Sequence, residues 1–244
     1  MPPHLFPIHM FQETPAKGPW SSPEPPPEEE SGSVREPMFN VPWPVVVLVT
    51  VIVLAYAIQS RLPDVAVLPF VFSPAALLRG EWWTALTSVF LHGGWAHALM
   101  NAGMILAFGT PVARLFGGRP LGASLYFLFF VVCGGLAALG SAAVHWGSAE
   151  MMVGASGAAS GLVAAAARLV AGRGRLGPIF APFVLTMGAA WLLVNLMVAG
   201  VMLAGANALI PGSGGAGVAW EAHLAGFVAG AVLIGPFDWL ARRS

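Results

Sequence analysis

The stretch LGASLYFLFFVVCGGLAALGSAAV, residues 121–144, contains no charged side chain. A spanning helix needs about 20 predominantly apolar residues, so this run alone reads as one pass through a bilayer. Five further long apolar stretches flank it: about Pro44 to Gln59, His92 to Ala113, Ser156 to Ala167, Ile179 to Ala204 and Trp220 to Leu240. The pattern predicts an all-α polytopic membrane protein, with six transmembrane helices bundled over residues 41–244. Composition agrees, since 57% of the 244 residues are hydrophobic and only 9% are charged, with a mean hydropathy of +0.77. A soluble domain carries several times more charge, so the lipid bilayer is the expected surrounding of most of the chain.

Residues 1–40 differ from all that follows. They are rich in proline (Pro23, Pro25, Pro26, Pro27) and acid (Glu24, Glu28, Glu29, Glu30). Such a segment cannot bury enough apolar surface to order itself, and a disordered, solvent-facing tail is expected. The patch Leu5-Phe6-Pro7-Ile8 is too short and too interrupted for a secretory signal. A formal net charge of zero and the absence of any Lys/Arg stripe argue against nucleic acid as a partner. The lone cysteine, Cys133, has no intramolecular disulfide partner and reads as a small buried hydrophobe.

Arginines orient the helices, because positive loops stay in the cytoplasm. Arg114 and Arg119 follow the second helix, Arg168, Arg173 and Arg175 the fourth, and Arg242 and Arg243 the sixth. The opposite loops carry only Arg61 and Arg79, both in the long first loop. Both termini are therefore expected in the cytoplasm, and a multi-pass chain without a targeting signature suits a bacterial inner membrane. The second, fourth and sixth helices then all run inward from the outer face. Their starts hold His92, His97 and Asn101, then Ser156, then His223, so topology gathers these side chains at one depth.

Ionisable residues inside spanning helices are costly and mark functional sites by default. An intramembrane zinc site would want His-Glu-x-x-His and an aspartyl site a pair of buried Asp residues. Neither is present: Asp64 lies in the first loop and Asp238 at the inner end of the last helix. No metal and no cofactor are expected. What remains is serine. Gly154-Ala155-Ser156-Gly157 places one at a helix start, where small neighbours expose the hydroxyl and free first-turn amides can stabilise an oxyanion. Alone, this motif is a weak signal and more often a helix-packing device.

The sixth helix adds Ala222, Gly226 and Gly230, a small residue at every fourth position, matching Gly157 and Gly161 on the fourth. Two such faces can approach closely enough to bring the His223 imidazole within hydrogen-bond reach of Ser156. His97 and Asn101, four residues apart on one helical face, point two donors the same way. Beside a serine nucleophile they suit an oxyanion hole, and otherwise an interhelical hydrogen-bond clasp, the reading that also fits His92. Glu221 lies on a different face from His223 and reads as an interfacial residue near a helix start.

In this order and on these helices, three motifs resemble the rhomboid family of intramembrane serine proteases: His97-x-x-x-Asn101, Gly-x-Ser-Gly around Ser156, and Ala-His-x-x-Gly-x-x-x-Gly from Ala222 to Gly230. The resemblance spans about residues 41 to 240. It implies a Ser–His dyad without an acidic third member, a six-helix bundle, cleavage of single-span membrane proteins, and a mainly structural His92. Two positions depart from the family. A Trp-Arg pair reads Trp83-Thr84 here, which leaves the first-loop architecture open. The position one turn after the nucleophile, often an aromatic ring stacked on the histidine, is Ser160. The expectation is that the Ser160 hydroxyl bonds near His223 in place of the ring. Ser160 is also a rival nucleophile, but Ala158 stands where the leading glycine would be.

Mechanistically, neutral His223 would take the Ser156 proton as the oxygen attacks, then protonate the leaving amine. Ser156 to Arg168 spans about 18 Å against a hydrocarbon core of about 30 Å, which places the serine below the outer surface in a water-holding cavity. The connection Gly205 to Gly217 is glycine-rich enough to cap it. Two competing readings are a non-enzymatic relative that handles membrane helices and a transporter. The first lacks a reason to retain both Ser156 and His223, and the second lacks the expected internal repeats.

Overall fold

The computed structural model describes residues 40–206 and 218–243. The expected tail over residues 1–40 falls outside this range except for Asn40, and most of the expected cap, residues 207–217, falls outside it too. Among the described residues there is no β-strand, and six long helices make up the body of the unit Val41–Ser244. They are α1 (Trp43–Gln59), α2 (Trp95–Phe116), α3 (Pro120–Val144), α4 (Ser156–Ala171), α5 (Pro182–Leu203) and α6 (Trp220–Ala241). Four of them, α2, α3, α5 and α6, are 22 to 25 residues long and apolar enough to cross a membrane, while α1 and α4 are shorter apolar helices.

Prolines start several of these helices, occupying the first or second position of α1, α3 and α5, where a missing N–H costs nothing. The second helix departs from the uniform run read in the sequence. It begins at Trp95 rather than His92, and its middle, Ile105–Gly109, is a π-turn. Pro111, two residues past this turn, cannot donate to the α-ladder, and wider i→i+5 bonding accommodates that loss. The fourth helix runs a turn beyond the predicted end at Ala167. Arg168 does not terminate it, because its guanidinium is taken up by the carbonyls of Gly177 at 2.9 Å and Ala231 at 2.7 Å.

The core is built on α4, twelve of whose sixteen residues are buried. Its most extensive partner is α6, with α2 and α3 next. The glycines predicted to allow this approach face one another in register. A Cβ on Gly226 would collide with the Gly157 carbonyl, and one on Gly230 with the backbone of Gly161. On the α3 side, a Cβ on Gly161 would lie 2.8 Å from Cys133, which is fully buried as expected of a small hydrophobe. By contrast α5 is peripheral, burying only Val184 and Asn195.

The first loop, open in the sequence, folds into short helical turns at Asp64–Val67, Pro74–Leu78 and Thr84–Thr87, with 3-10 turns at Leu68–Phe70 and Ser88–Phe90. Thr84, at the departing position, is buried and donates its hydroxyl to the Glu81 carbonyl at 2.7 Å. Three backbone bonds stitch this loop to the segment preceding α4: Ala75 to Ser148 at 2.8 Å, Met152 to Phe72 at 2.8 Å, and Gly154 to Ser88 at 3.0 Å. The approach to Ser156 is thereby fixed from outside the helix.

The glycine register makes a direct prediction. Gly226→Val should lower thermal stability in detergent by at least about 1–3 kcal/mol, the usual effect of overpacking, while Gly103→Ala, whose added methyl meets nothing, should leave it unchanged. Equal melting of both variants would show that the α4–α6 approach does not carry the fold.

Candidate active site

Ser156 is the first residue of α4 and is half-buried, with its hydroxyl 2.7 Å from Nε2 of His223 on α6. The local sequence explains the placement. Gly154 sits at φ +127°, a backbone state that side-chain-bearing residues rarely adopt, and turns the chain into the helix. It also leaves room for His97, since a Cβ there would lie 2.7 Å from the imidazole Cε1 and Nε2. On the far side, Gly157 and Gly226 bring the two backbones close enough for serine and histidine to meet.

His97 and Asn101 do converge on this corner. The Gly93 amide donates to His97 Nδ1 at 3.4 Å, which leaves the proton on Nε2, the atom facing Gly154. Asn101 is 2% exposed, its Nδ2 lies 3.8 Å from the same Cβ position, and that buried donor has no partner among the described residues. Two N–H donors thus flank the residue two before Ser156.

His92 stands behind them, 1% exposed, and acts as a brace. Gln59 at the end of α1 grips its backbone in both directions, donating to the His92 carbonyl at 2.8 Å and accepting from its amide at 2.9 Å. The His92 ring packs edge-on to His97, with centroids 5.0 Å apart, and its Nε2 receives the Ala155 amide at 3.5 Å. Glu221 points elsewhere, to His145 Nε2 at 2.9 Å, consistent with a different helical face.

Ser160 is not brought to the histidine. It is fully buried and its hydroxyl donates to the Ser156 carbonyl at 2.7 Å, the back-bond to the preceding turn that serine makes inside helices. What reaches His223 instead is Asn195 of α5, whose Oδ1 lies 2.6 Å from Nδ1 of the imidazole. Trp191, one turn earlier, lies near the ring at a tilted 47° with centroids 6.4 Å apart. Sequence reasoning missed both because it weighed ionisable residues and searched the fourth helix for the support. The signal was nonetheless present: Asn195 is the lone amide in α5, a helix otherwise apolar apart from Thr186.

Taken together, the site offers a hydroxyl hydrogen-bonded to an imidazole, a neutral amide on the far imidazole nitrogen, and a pair of donors at the turn before the hydroxyl. Comparison with curated proteins gave no match. The family profile of the rhomboid domain matches residues 79–237, which runs from the first loop through Ser156 and His223 to the C-terminal part of α6. Extending over more than half of the sequence, that match makes the chain a member of the rhomboid family, an integral membrane family of intramembrane-protease type.

Proposed function

We propose that the chain is an intramembrane serine endopeptidase that cleaves transmembrane segments of single-span membrane proteins, with Ser156 as nucleophile and His223 as general base. The observation that carries this reading is the 2.7 Å separation between Ser156 Oγ and His223 Nε2. In the reaction, the oxygen attacks the scissile carbonyl while its proton passes to Nε2. The tetrahedral oxyanion is held by His97 Nε2–H, Asn101 Nδ2–H and the first-turn amides of α4, and of these Asn101 Nδ2 is a buried donor with no other partner among the described residues. The C–N bond then breaks, the imidazolium gives its proton to the leaving amine, and water repeats the sequence on the acyl-serine to release the new carboxylate.

Hydrolysis needs water, so the pocket opens toward the outer face, where the starts of α2, α4 and α6 lie. The arginine distribution supports cytoplasmic termini in a bacterial inner membrane, with residues 1–40 as a cytoplasmic tail. A substrate helix must unwind before its carbonyl reaches Ser156, because a helical backbone is already internally bonded. Segments with small or helix-breaking residues near the outer surface are the favoured substrates.

The test is cleavage of a single-span substrate by reconstituted protein, beside labelling with a fluorophosphonate. Wild type should cleave and label, and Ser156→Ala and His223→Ala should do neither. Equal labelling of wild type and Ser156→Ala would remove the assignment. His97→Ala and Asn101→Ala should keep labelling sites intact but lower kcat by about 10²–10³-fold, the usual effect of losing an oxyanion donor. Unchanged turnover in both would return these residues to a structural clasp.

The pH dependence has a defined sign. Only neutral imidazole accepts the Ser156 proton, so on the acid side kcat/KM should fall by about tenfold per pH unit once His223 is protonated. A profile that stays flat across the whole acid range in which the protein remains folded would count against His223 as the base.

A further inference from the structure

Asn195 does more than fill space in α5. It is 5% exposed and buried on a helix that otherwise buries only Val184. An amide carried within an apolar spanning helix is costly unless it is fully hydrogen-bonded. Both ends of this one are engaged. Nδ2 donates to the Trp191 carbonyl one turn back at 2.8 Å, and Oδ1 meets His223 Nδ1 at 2.6 Å.

The first bond decides the meaning of the second. With Nδ2 committed to a carbonyl, the atom presented to the imidazole is the amide oxygen, which can only accept. The proton of neutral His223 must then sit on Nδ1. Nε2 is left with a lone pair, and that nitrogen is the one 2.7 Å from the Ser156 hydroxyl. The opposite tautomer would set a lone pair against the amide oxygen and turn an N–H toward the hydroxyl whose proton has to be removed.

No other group competes for this role among the described residues. The groups around His223 are Ser156 from α4, Trp191 and Asn195 from α5, and His97 from α2, none of them acidic. On α6 itself, Glu221 is held by His145.

We propose that Asn195 is the positioning residue of the site, fixing the tautomer and orientation of His223 so that Ser156, His223 and Asn195 act as a hydrogen-bonded triad. The inference rests on the Ser156–His223 assignment and adds its third member. Asn195 touches no reacting atom. It acts through the imidazole, first by holding the basic nitrogen toward Ser156 and then by accepting from the imidazolium formed during attack.

The decisive variants are Asn195→Leu, an apolar near-isostere suited to a lipid-exposed helix, and Asn195→Asp. In the cleavage assay Asn195→Leu should lower kcat by about tenfold or more with little change in KM, as expected for an interaction made through the base. Asn195→Asp should keep more activity than Asn195→Leu and move the acid limb of kcat/KM to higher pH, because a carboxylate favours the imidazolium. Independently of activity, wild-type protein labelled with ¹⁵N-histidine should show a slowly exchanging Nδ1–H for His223 that Asn195→Leu lacks. Unaltered kcat and acid limb in both variants, or a wild-type His223 protonated on Nε2, would overturn the proposal. A wild type without Ser156-dependent cleavage would remove the protease reading. The imidazole spectrum would still decide between the two tautomers and hence the role of Asn195.

Discussion

In a bilayer, lipid tails are as apolar as the helices, so no hydrophobic force holds one helix against another. Close packing must do so, and only small residues let two backbones approach near enough. Here that approach is made by Gly157 against Gly226 and Gly161 against Gly230. Ser156 immediately precedes the first of these pairs, and His223 lies three residues before Gly226. The distance between hydroxyl and imidazole is therefore set by backbone contact rather than by flexible side chains. Adding about 1 Å to a 2.7 Å contact carries it past hydrogen-bonding range, so the glycine register governs the Ser156–His223 contact as directly as the two side chains do.

A second constraint reaches Ser156 from the chain before it. The first loop holds residues 148–154 by three backbone bonds, including the isolated antiparallel bridge between Phe72 and Met152. Gly154 then turns into α4 in a conformation that glycine adopts easily, and His97 occupies the space its missing side chain leaves. His92 ties the same corner to the end of α1 through Gln59. Ser156 and the donors of His97 and Asn101 are thus carried by separate elements, the segment before Ser156 held by main-chain hydrogen bonds and the corner at His97 by the side chains of Gln59 and His92.

The parts of this arrangement that depend on pattern could be read from the sequence. Charge-free runs located the long helices to within a few residues at most ends, and the four-residue spacing of glycines foretold which faces of α4 and α6 would meet. Parts that depend on exceptions could not. The π-turn at Ile105–Gly109 leaves no periodicity signal of its own, and the continuation of α4 past Arg168 required knowing that the carbonyls of Gly177 and Ala231 would receive the guanidinium. Ser160 was expected near His223 by position along the helix. A buried serine can satisfy itself on the carbonyl four residues back, and this one does. The support of His223 came instead from a helix whose apolar run gave no reason to pair it with the site, except for the single amide at Asn195.

That origin has a mechanical consequence. Ser156 and His223 stand on α4 and α6, two helices locked together by glycine contacts, whereas Asn195 stands on α5, which packs against both far less extensively. A displacement of α5 would leave the Ser156–His223 distance nearly untouched and act first on the 2.6 Å bond to Nδ1. The imidazole would then be free to change tautomer while remaining beside the serine. In the proposed triad there are therefore two couplings of different stiffness: a rigid one that sets distance and a softer one that sets which nitrogen carries the proton. Any segment that pushes between α5 and the rest of the bundle would act on the second without disturbing the first.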